Sequence, residues 1–251
     1  MTVYILLPCY NEESNLRQLV DEISQACHNL DYKIVAVDDG SRDGTYQLLL
    51  ALSRTYPLIV LRHEDNKGLH EALRTLLLWT YENAGESDYI IMMDSDLTHD
   101  PRYIPQLISA CEEKEADVAI ASRFAEGGKQ VGVPLHRVLL SKGLRILVKI
   151  TLGISVRDIS SGYRCIRSAN IKKIIKVYGC MRFIEAKGFD VQLDLLFKLV
   201  SHGARVVEIP FTLDYSKKGG RSKLKIFRTV LGYLQTILRL KRFPTGVREA
   251  S

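Results

Sequence analysis

The sequence predicts an α/β fold in which helices cover both faces of a mostly parallel sheet. Short runs rich in Val, Ile and Leu alternate with stretches whose apolar residues recur every three or four positions. Such strand–helix alternation is typical of a parallel sheet. The chain of 251 residues is 46% hydrophobic and 25% charged, and it has no repeat, linker or low-complexity tract. Its length and composition therefore suit a single domain with one substantial core.

The alternation is regular in the first half of the chain and less regular in the second. Apolar spacing predicts where each element lies. The predicted strands cover residues 3–7, 33–37, 58–61, 89–93, 118–121 and 205–209. The predicted helices cover residues 12–27, 45–52, 69–81, 104–111, 135–151, 170–176, 189–200 and 224–240.

Cysteine usage and hydropathy indicate the compartment. The five cysteines are odd in number and widely spaced, with no Cys-x-x-Cys pair, which argues against a disulfide framework or a zinc knuckle. Reduced thiols are typical of the cytoplasm. The first residues lack a signal-peptide pattern, and no run reaches the roughly 20 apolar residues of a membrane-spanning helix. We therefore expect a cytoplasmic chain that does not cross a membrane.

The net charge of +6 is concentrated at one end of the chain. From Lys217 onward the sequence contains ten Lys or Arg residues and one acid, Glu249, whereas the preceding 216 residues have a net charge of −3. A basic tail indicates an anionic partner, either lipid head groups or nucleic acid.

Polar and acidic residues follow three of the predicted strands. The carboxyl ends of parallel strands meet at one edge of a sheet, where ligands bind. Several acids at one edge repel each other unless a cation or a donor-rich ligand lies among them. An Asp-x-Asp pair suits Mg²⁺ or Mn²⁺, which prefer oxygen ligands and neutralise a diphosphate. The motifs are Pro8-Cys9-Tyr10-Asn11-Glu12-Glu13, Asp38-Asp39-Gly40-Ser41-Arg42-Asp43-Gly44-Thr45 and Asp94-Ser95-Asp96.

Each motif alone has a plainer interpretation. Asp38, Asp39 and Gly40 suit an ordinary turn, and an Asp-x-Asp pair suits a helix N-cap. Asp100 followed by Pro101 is, however, a better helix start, which leaves Asp94 and Asp96 for another role. The ordered combination of all three motifs favours a nucleotide and metal site.

These motifs together resemble glycosyltransferase family 2, a family of inverting transferases. The dolichyl-phosphate mannosyltransferase and polyprenyl-phosphate glycosyltransferase group is the most similar, and the resemblance extends from about residue 3 to residue 224. It implies a GT-A fold, which is Rossmann-like, as a catalytic domain over residues 1–223. A basic amphipathic C-terminal helix and tail would then occupy residues 224–251.

The resemblance also implies roles for the matching residues. Thr98 stands where many relatives carry Gln, and Lys217 and Lys223 belong to a basic, Gly-containing loop that would act as a lid. The implied base and ribose contacts are Pro8, Tyr10, Glu12, Val37 and Asp39; the diphosphate contacts are Asp94, Ser95, Asp96, Lys217 and Lys223; the metal ligands are Asp94, Asp96 and Thr98.

The spacing of Arg123, Arg137 and Ser141 is similar to the family's clamp for a lipid phosphate. Arg binds phosphate oxygens bidentately and stays charged, although solvated surface arginines are the plainer interpretation. Asp96, Arg123 and Arg137 are accordingly the candidate catalytic residues. Ser160-Ser161-Gly162-Tyr163-Arg164 resembles a supporting family segment, for which we predict a mainly structural role.

The implied reaction is the inverting, metal-dependent transfer of mannose from GDP-mannose to a polyprenyl or dolichyl phosphate. A phosphate with a second pKa of about 6 is mostly dianionic at pH 7 and needs no general base. The sequence offers no His suited to that task, and His63, His70, His99 and His136 are expected to be surface or supporting residues.

The C-terminal segment suggests peripheral membrane attachment. Lys142, Arg145 and Lys149 cluster on the predicted helix 135–151, which together with the C-terminal helix would contact the cytosolic face of a membrane. A helix packed on the domain is the plainer alternative, and a small membrane-anchoring partner subunit is another route to attachment. The C-terminal helix is predicted to carry Phe227, Val230, Leu231, Leu234, Ile237 and Leu238 on one face and Lys225, Arg228, Arg239 and Arg242 near the other.

Other functions stay open at this stage. A transferase that uses a UDP-sugar or a hydroxyl acceptor needs a carboxylate base in the second case, and Asp158 or Asp190 would serve. A nucleic-acid-binding protein is remote, because the tail lacks interleaved aromatic residues. A nucleotidyltransferase would carry a Gly-rich loop after the first strand, where this chain has Tyr10, Asn11 and Glu12.

Overall fold

A seven-stranded sheet forms the centre of the computed structural model, which describes residues 1–215 and 226–242. The strand order is β3-β2-β1-β4-β7-β5-β8, and β6 pairs with β9 in a separate two-stranded sheet. The strands are β1 (Val3–Cys9), β2 (Tyr32–Asp39), β3 (Leu58–His63), β4 (Tyr89–Met92), β5 (Val118–Ser122), β6 (Lys129–Val131), β7 (Arg164–Arg167), β8 (Val206–Pro210) and β9 (Thr212–Asp214). The helices are α1 (Glu13–Ala26), α2 (Thr45–Leu52), α3 (Leu69–Asn83), α4 (Ile104–Glu113), α5 (Leu135–Leu152), α6 (Ser168–Tyr178), α7 (Val191–Ser201) and α8 (Ile226–Leu240).

The predicted mostly parallel sheet is confirmed. Strand β1 pairs in parallel with β2 and β4, β2 pairs in parallel with β3, and β5 pairs in parallel with β8. Strand β7 is antiparallel to both of its neighbours, β4 and β5. The carboxyl ends of β1, β2 and β4 therefore lie side by side at one edge of the sheet.

Side chains of each strand alternate between two hydrophobic cores. On β1, Tyr4 and Leu6 belong to the core formed with α3, α6 and α7, whereas Val3, Ile5 and Leu7 belong to the core formed with α1, α2 and α4. Because successive strand residues point to opposite faces, a continuous apolar run is buried on both sides. This arrangement explains why β1 is apolar throughout instead of alternating.

Sequence reasoning missed three strands: β6, β7 and β9. Strand β7 consists of Arg164, Cys165, Ile166 and Arg167, so charged residues flank only two apolar ones. Arg164 is nevertheless fully buried, and its guanidinium donates to the carbonyl oxygens of Ile159, Ser161 and Gln192. Backbone acceptors stabilise this buried cation, which a hydropathy pattern cannot reveal.

Helix α8 lies against α7 and α5. Phe227, Leu231 and Leu238 are exposed, as the proposed outer apolar face requires, but Ile237 is buried against the domain. Arg239 points inward, because its Nη2 lies 3.2 Å from the buried carboxylate of Asp194. The predicted division of α8 into one apolar and one cationic face is therefore wrong at Ile237 and Arg239. In the described part of the chain no helix has the length and hydropathy needed to cross a bilayer.

Candidate active site

An open cavity of about 1790 Å³ lies beyond the carboxyl ends of β1, β2 and β4. A typical small-molecule site measures about 300–1,000 Å³, so this cavity has room for two ligands. Most of the residues proposed from the sequence reach it. Those residues are Pro8, Tyr10, Glu12, Asp39, Asp94, Ser95, Asp96, Thr98, Arg123 and Ser141.

The loops after β1 and β2 are joined by hydrogen bonds between the residues of their motifs. The backbone N–H of Asn11 donates to Ser41 Oγ at 2.9 Å, and that of Arg42 donates to Asn11 Oδ1 at 2.8 Å. The N–H of Glu12 donates to Thr45 Oγ1 at 2.8 Å. Asn11 has a φ of 52°, a left-handed conformation that Asn tolerates better than most residues. The two sequence motifs thus form one rigid corner of the cavity.

Asp39 lines the cavity, but its carboxylate also holds the neighbouring loop. Oδ1 accepts from His63 Nδ1 at 2.6 Å and from the Lys67 N–H at 3.0 Å. Oδ2 accepts from Asn66 Nδ2 at 2.9 Å and from the Gly68 N–H at 2.8 Å. These four hydrogen bonds occupy the lone pairs of an ionised carboxylate. In this structure Asp39 shapes the wall that Asn66 and Gly68 add to the cavity, two residues that sequence reasoning missed.

Two positions beside Asp39 are structural. Val37, expected near the base and ribose, is fully buried among core residues and does not line the cavity. Gly40 has a φ of 66°, and a Cβ there would lie 2.4 Å from the backbone of Asp65. The glycine of this motif is therefore required by the close approach of two loops.

Asp94 and Asp96 follow β4 in a short loop that is held from within. The Asp94 N–H donates to His99 Nδ1 at 2.9 Å, which places the ring proton on Nε2, 3.7 Å from Asp94 Oδ2. His99 is buried and stacks on Tyr163 with ring centroids 4.9 Å apart. Ser95 donates to the Pro8 carbonyl at 3.0 Å, which ties this loop to β1. His63 and His99 are thus buried supporting residues and do not lie on the surface.

The acid pair suits a divalent ion carried by a nucleotide. The Asp94 side chain is 44% exposed, and both Asp94 and Asp96 line the cavity. Among the described residues no group of three His, Cys, Asp or Glu could hold an ion alone. Mg²⁺ is commonly bound by one or two carboxylates together with substrate phosphates and water. The donors present fit such an ion, with its remaining ligands supplied by substrate.

Thr98 lies beside the acid pair and contacts one member of it. Its hydroxyl donates to Asp96 Oδ1 at 2.5 Å, and its backbone N–H donates to the same oxygen at 3.2 Å. These contacts orient the Asp96 carboxylate. Coordination of a metal by Thr98 stays a prediction.

Arg123 is held by a buried carboxylate. Its Nε donates to Asp158 Oδ2 at 2.7 Å, and its Nη2 donates to Asp158 Oδ1 at 2.6 Å and to Ser160 Oγ at 2.7 Å. Burial lowers the pKa of the guanidinium, but the hydrogen bonds and charge of Asp158 outweigh burial, so this pKa lies above its usual value. Nη1 is not used in these contacts. Asp158 is fully buried and bound to Arg123, which makes it unsuitable as a base for a hydroxyl acceptor.

The remaining acceptor and lid residues are described only in part. Ser141 lies on α5 and lines the cavity beside apolar residues of the same helix. The side chains of Arg137 and His136 lie outside the described part of the structure, as do Lys217 and Lys223 altogether. Their roles stay predictions.

Two further parts of the cavity lining consist mostly of residues that sequence reasoning did not propose for the site; the exception is Asp190, which was considered as a base for a hydroxyl acceptor. His70 of α3 lines the cavity, and burial lowers its pKa, so the ring is neutral at pH 7. A second wall consists of residues 185–190, between α6 and α7. Helices α5 and α8 add apolar lining residues, namely Leu139, Leu140, Leu144, Leu147, Val230, Leu231 and Leu234.

In three relatives, about a third of the residues aligned with this chain are identical to it. A dolichol-phosphate mannosyltransferase from Pyrococcus furiosus is 35% identical over 246 residues, which cover 97% of this chain and 64% of the relative. A polyprenol monophosphomannose synthase from Mycolicibacterium smegmatis is 32% identical and covers 86% of this chain and 78% of its own. An undecaprenyl-phosphate mannosyltransferase from Micrococcus luteus is 32% identical, with coverage of 89% and 88%. The chain thus spans less than two thirds of the Pyrococcus protein.

Solved structures support the fold. Glucosyl-3-phosphoglycerate synthase from Mycobacterium tuberculosis, in complex with Mn²⁺, uridine diphosphate and phosphoglyceric acid, superposes with a TM-score of 0.69. The alignment covers 98% of this chain and 80% of that chain at 19% identity, a likeness of fold alone.

The family itself is shown by sequence. Residues 4–175 match the family described as Glycosyl transferase family 2, and they include all three strand-end motifs together with Arg123 and Ser141. With this match and relatives at 32–35% identity, the chain belongs to glycosyl transferase family 2.

Proposed function

We propose that this protein transfers mannose from GDP-mannose to a polyprenyl or dolichyl phosphate, with inversion at the anomeric carbon and with Mg²⁺ or Mn²⁺. One observation carries the proposal: a single cavity contains an acid pair, the partly buried Arg123, whose side chain is 15% exposed, and an apolar lining from α5 and α8. A nucleotide diphosphate, an acceptor phosphate and a lipid chain each need one of these three features. The names of the three relatives, which mention dolichol, polyprenol and undecaprenyl phosphate, support the same acceptor class.

The donor end of the cavity would be the corner formed by the motifs after β1, β2 and β4. Pro8, Tyr10 and Glu12 would contact the base and ribose, with Asp39 acting through the loop that it holds. Asp94 and Asp96 would hold the metal ion, and Ser95 would fix their loop. When bound, the metal neutralises the charge that develops on the departing diphosphate. Lys217 and Lys223 would add positive charge to the same leaving group.

The acceptor end would lie at Arg123. Because Asp158 and Ser160 hold the Nε and Nη2 side of the guanidinium, the group is oriented before the acceptor arrives, and Nη1 would meet the phosphate. Arg137 and Ser141 of α5 would complete the phosphate contacts. A dianionic phosphate is already a nucleophile, so catalysis would consist of positioning and charge neutralisation. One displacement at the anomeric carbon would invert its configuration.

The lipid chain would leave the cavity between α5 and α8, which pack against each other. Leu139 and Leu140 of α5 and Leu231 and Leu234 of α8 are exposed and line the cavity. An exposed apolar surface of this kind marks a membrane or protein contact. We propose peripheral contact with the cytosolic face of a membrane, directly or through a small membrane-anchoring subunit.

The donor and the metal are tested by transfer of labelled sugar to a short polyprenyl phosphate. GDP-mannose and UDP-glucose are compared in parallel, each with Mg²⁺, with Mn²⁺ and with a chelator. We expect metal-dependent label in the lipid phase from GDP-mannose. If only UDP-glucose gives label in the lipid phase, UDP-glucose and not GDP-mannose is the donor. Equal label in the presence of chelator would contradict the metal dependence.

A further inference from the structure

The wall segment, residues 185–190, is the second half of the connection between α6 and α7 and lines the cavity along its whole length. Its first residues are fixed by α7. Asp194 Oδ2 accepts the backbone N–H groups of Glu185 at 2.6 Å and Ala186 at 2.9 Å. Asp194 is fully buried, and the fully buried Lys198 lies 3.1 Å from its other oxygen. The start of the wall segment is therefore anchored inside the domain.

The last residues of the wall segment are held by α8. The Tyr233 hydroxyl donates to the Phe189 carbonyl at 3.1 Å, and the Thr236 hydroxyl donates to Asp190 Oδ2 at 2.7 Å. Arg239 Nη2 reaches Asp194 at 3.2 Å. Positions 233, 236 and 239 are three residues apart and lie on one face of a helix. This polar row of α8 faces the wall segment and its anchor.

The contact between α8 and the wall segment is close and shielded from water. Tyr233 and Thr236 are buried, and a Cβ at Gly232 would lie 3.0 Å from Asp190 Oδ1. Burial raises the pKa of the Tyr233 hydroxyl, so it remains a donor throughout the working pH range. A buried hydroxyl donor without its partner is costly, which favours one fixed position of α8 against the wall segment.

We propose that Tyr233 and Thr236 are positioning residues for sugar transfer, because they fix the wall segment and thereby shape the cavity that the acceptor occupies. This inference rests on the proposed function. It makes α8 a structural part of the active site, in addition to the outer apolar surface that it presents.

Conservative variants of the full chain test the proposal. Tyr233→Phe and Thr236→Val remove only the hydroxyl groups, and Thr236→Ser keeps one as a matched control. Amide hydrogen exchange in residues 185–190 is expected to accelerate about tenfold in the double variant, since local opening governs exchange. The KM for polyprenyl phosphate should rise about tenfold, while the Kd for GDP with Mn²⁺ stays within about twofold of wild type. Thr236→Ser should resemble wild type in all three measurements.

Two results would overturn the proposal: unchanged exchange in residues 185–190, or faster exchange with an unchanged KM. The single variants keep the test decisive if the double variant fails to fold. If wild-type protein transfers no sugar to polyprenyl phosphate, the proposed function fails, whereas the exchange measurement still decides whether α8 holds the wall segment.

Discussion

Most polar residues of the site are held by other residues of the site. Asp39 accepts four hydrogen bonds, Ser95 is bound to the β1 carbonyl, and Arg123 is bound to Asp158. The Asp94 side chain, by contrast, is 44% exposed to the cavity and solvent. Such preorganisation reduces the reorganisation that a reaction requires.

The acid pair provides the first prediction. Asp94→Asn and Asp96→Asn should each weaken metal-dependent GDP binding by about tenfold or more, about 1.4 kcal/mol, because each removes a negative ligand. Titration calorimetry with Mn²⁺ and with a chelator measures this. Glu113→Gln on the exposed side of α4 is the matched charge control. Equal GDP affinity of wild type and both variants with Mn²⁺ would contradict the metal assignment.

His99 provides the second prediction, because its two nitrogens have separate tasks. His99→Asn keeps an acceptor near the Nδ1 position for the Asp94 N–H, whereas His99→Gln does not. We expect Mn²⁺–GDP affinity to fall about tenfold in the Gln variant, in the range found for residues that orient metal ligands, and to fall less in the Asn variant. Electron paramagnetic resonance of bound Mn²⁺ measures both. The reverse order would show that the Nδ1 contact does not position Asp94.

Among the elements, the loops after β1 and β2 depend on each other. Asp43 Oδ1 accepts from the Thr45 hydroxyl at 2.5 Å, and the same hydroxyl accepts from the Glu12 N–H. Burial tends to raise the pKa of Asp43, but the hydrogen bonds from Thr45 outweigh it, so this pKa lies below its usual value of 3.8. The ionised form of Asp43 therefore stabilises the folded state.

The third prediction concerns the pH dependence of that stability. A lowered folded-state pKa gives stability that is present above pH 3.8 and is lost as the pH falls through the folded-state value. Asp43→Asn should lower the free energy of unfolding by about 1 kcal/mol at pH 7, and the difference from wild type should shrink as the pH falls below 3.8. Urea unfolding at pH 7 and pH 3.5 measures it. If the stability difference between wild type and variant grows at acid pH, the pKa of Asp43 is not lowered by folding.

The exposed apolar residues of α8 provide the fourth prediction. Leu231→Ser together with Leu238→Ser should reduce binding to vesicles containing anionic lipid by about tenfold or more, since burial of a Leu contributes about 1.5–3 kcal/mol. Leu50→Ser on α2 replaces an exposed leucine elsewhere and serves as control. Vesicle co-sedimentation measures the difference. If the double variant and the control bind vesicles equally well, α8 does not contact lipid.

Periodicity predicted the elements that bury an apolar face and failed for those that do not. Helix α2 has the predicted bounds, and the other helices with fully described bounds begin and end within a few residues of the prediction. Strand β7 was missed because hydrogen bonds to buried Arg164 replace an apolar pattern. The inward turn of Arg239 was missed for a similar reason, since its partner Asp194 is distant in sequence.

The site was predictable as far as its motifs are local in sequence. The motif residues after β1, β2 and β4 converge because parallel strands end at one edge. The α8 polar row carries no motif, and the packing of α7 and α8 brings this row and the wall segment to the cavity. The Val37 side chain does not line the cavity, because strand alternation turns it into the core.

For the whole molecule, one cavity of about 1790 Å³ combines a polar nucleotide corner with an apolar lining. The basic residues concentrated from Lys217 onward would favour an anionic surface near the same helix, α8. The central claim is that the acceptor's phosphate group is itself the nucleophile, so that the protein needs no general base.

Transfer to two matched acceptors tests that claim most directly. Wild-type protein with GDP-mannose and metal is offered a polyprenyl phosphate and the polyprenol of the same length, which carries a hydroxyl in place of the phosphate. The account predicts mannosyl product from the phosphate and none above background from the alcohol, because the two carboxylates considered as a base are already engaged: Asp158 is bound to Arg123, and Asp190 accepts from Thr236. Comparable transfer to the alcohol would contradict it and would make a hydroxyl the natural acceptor.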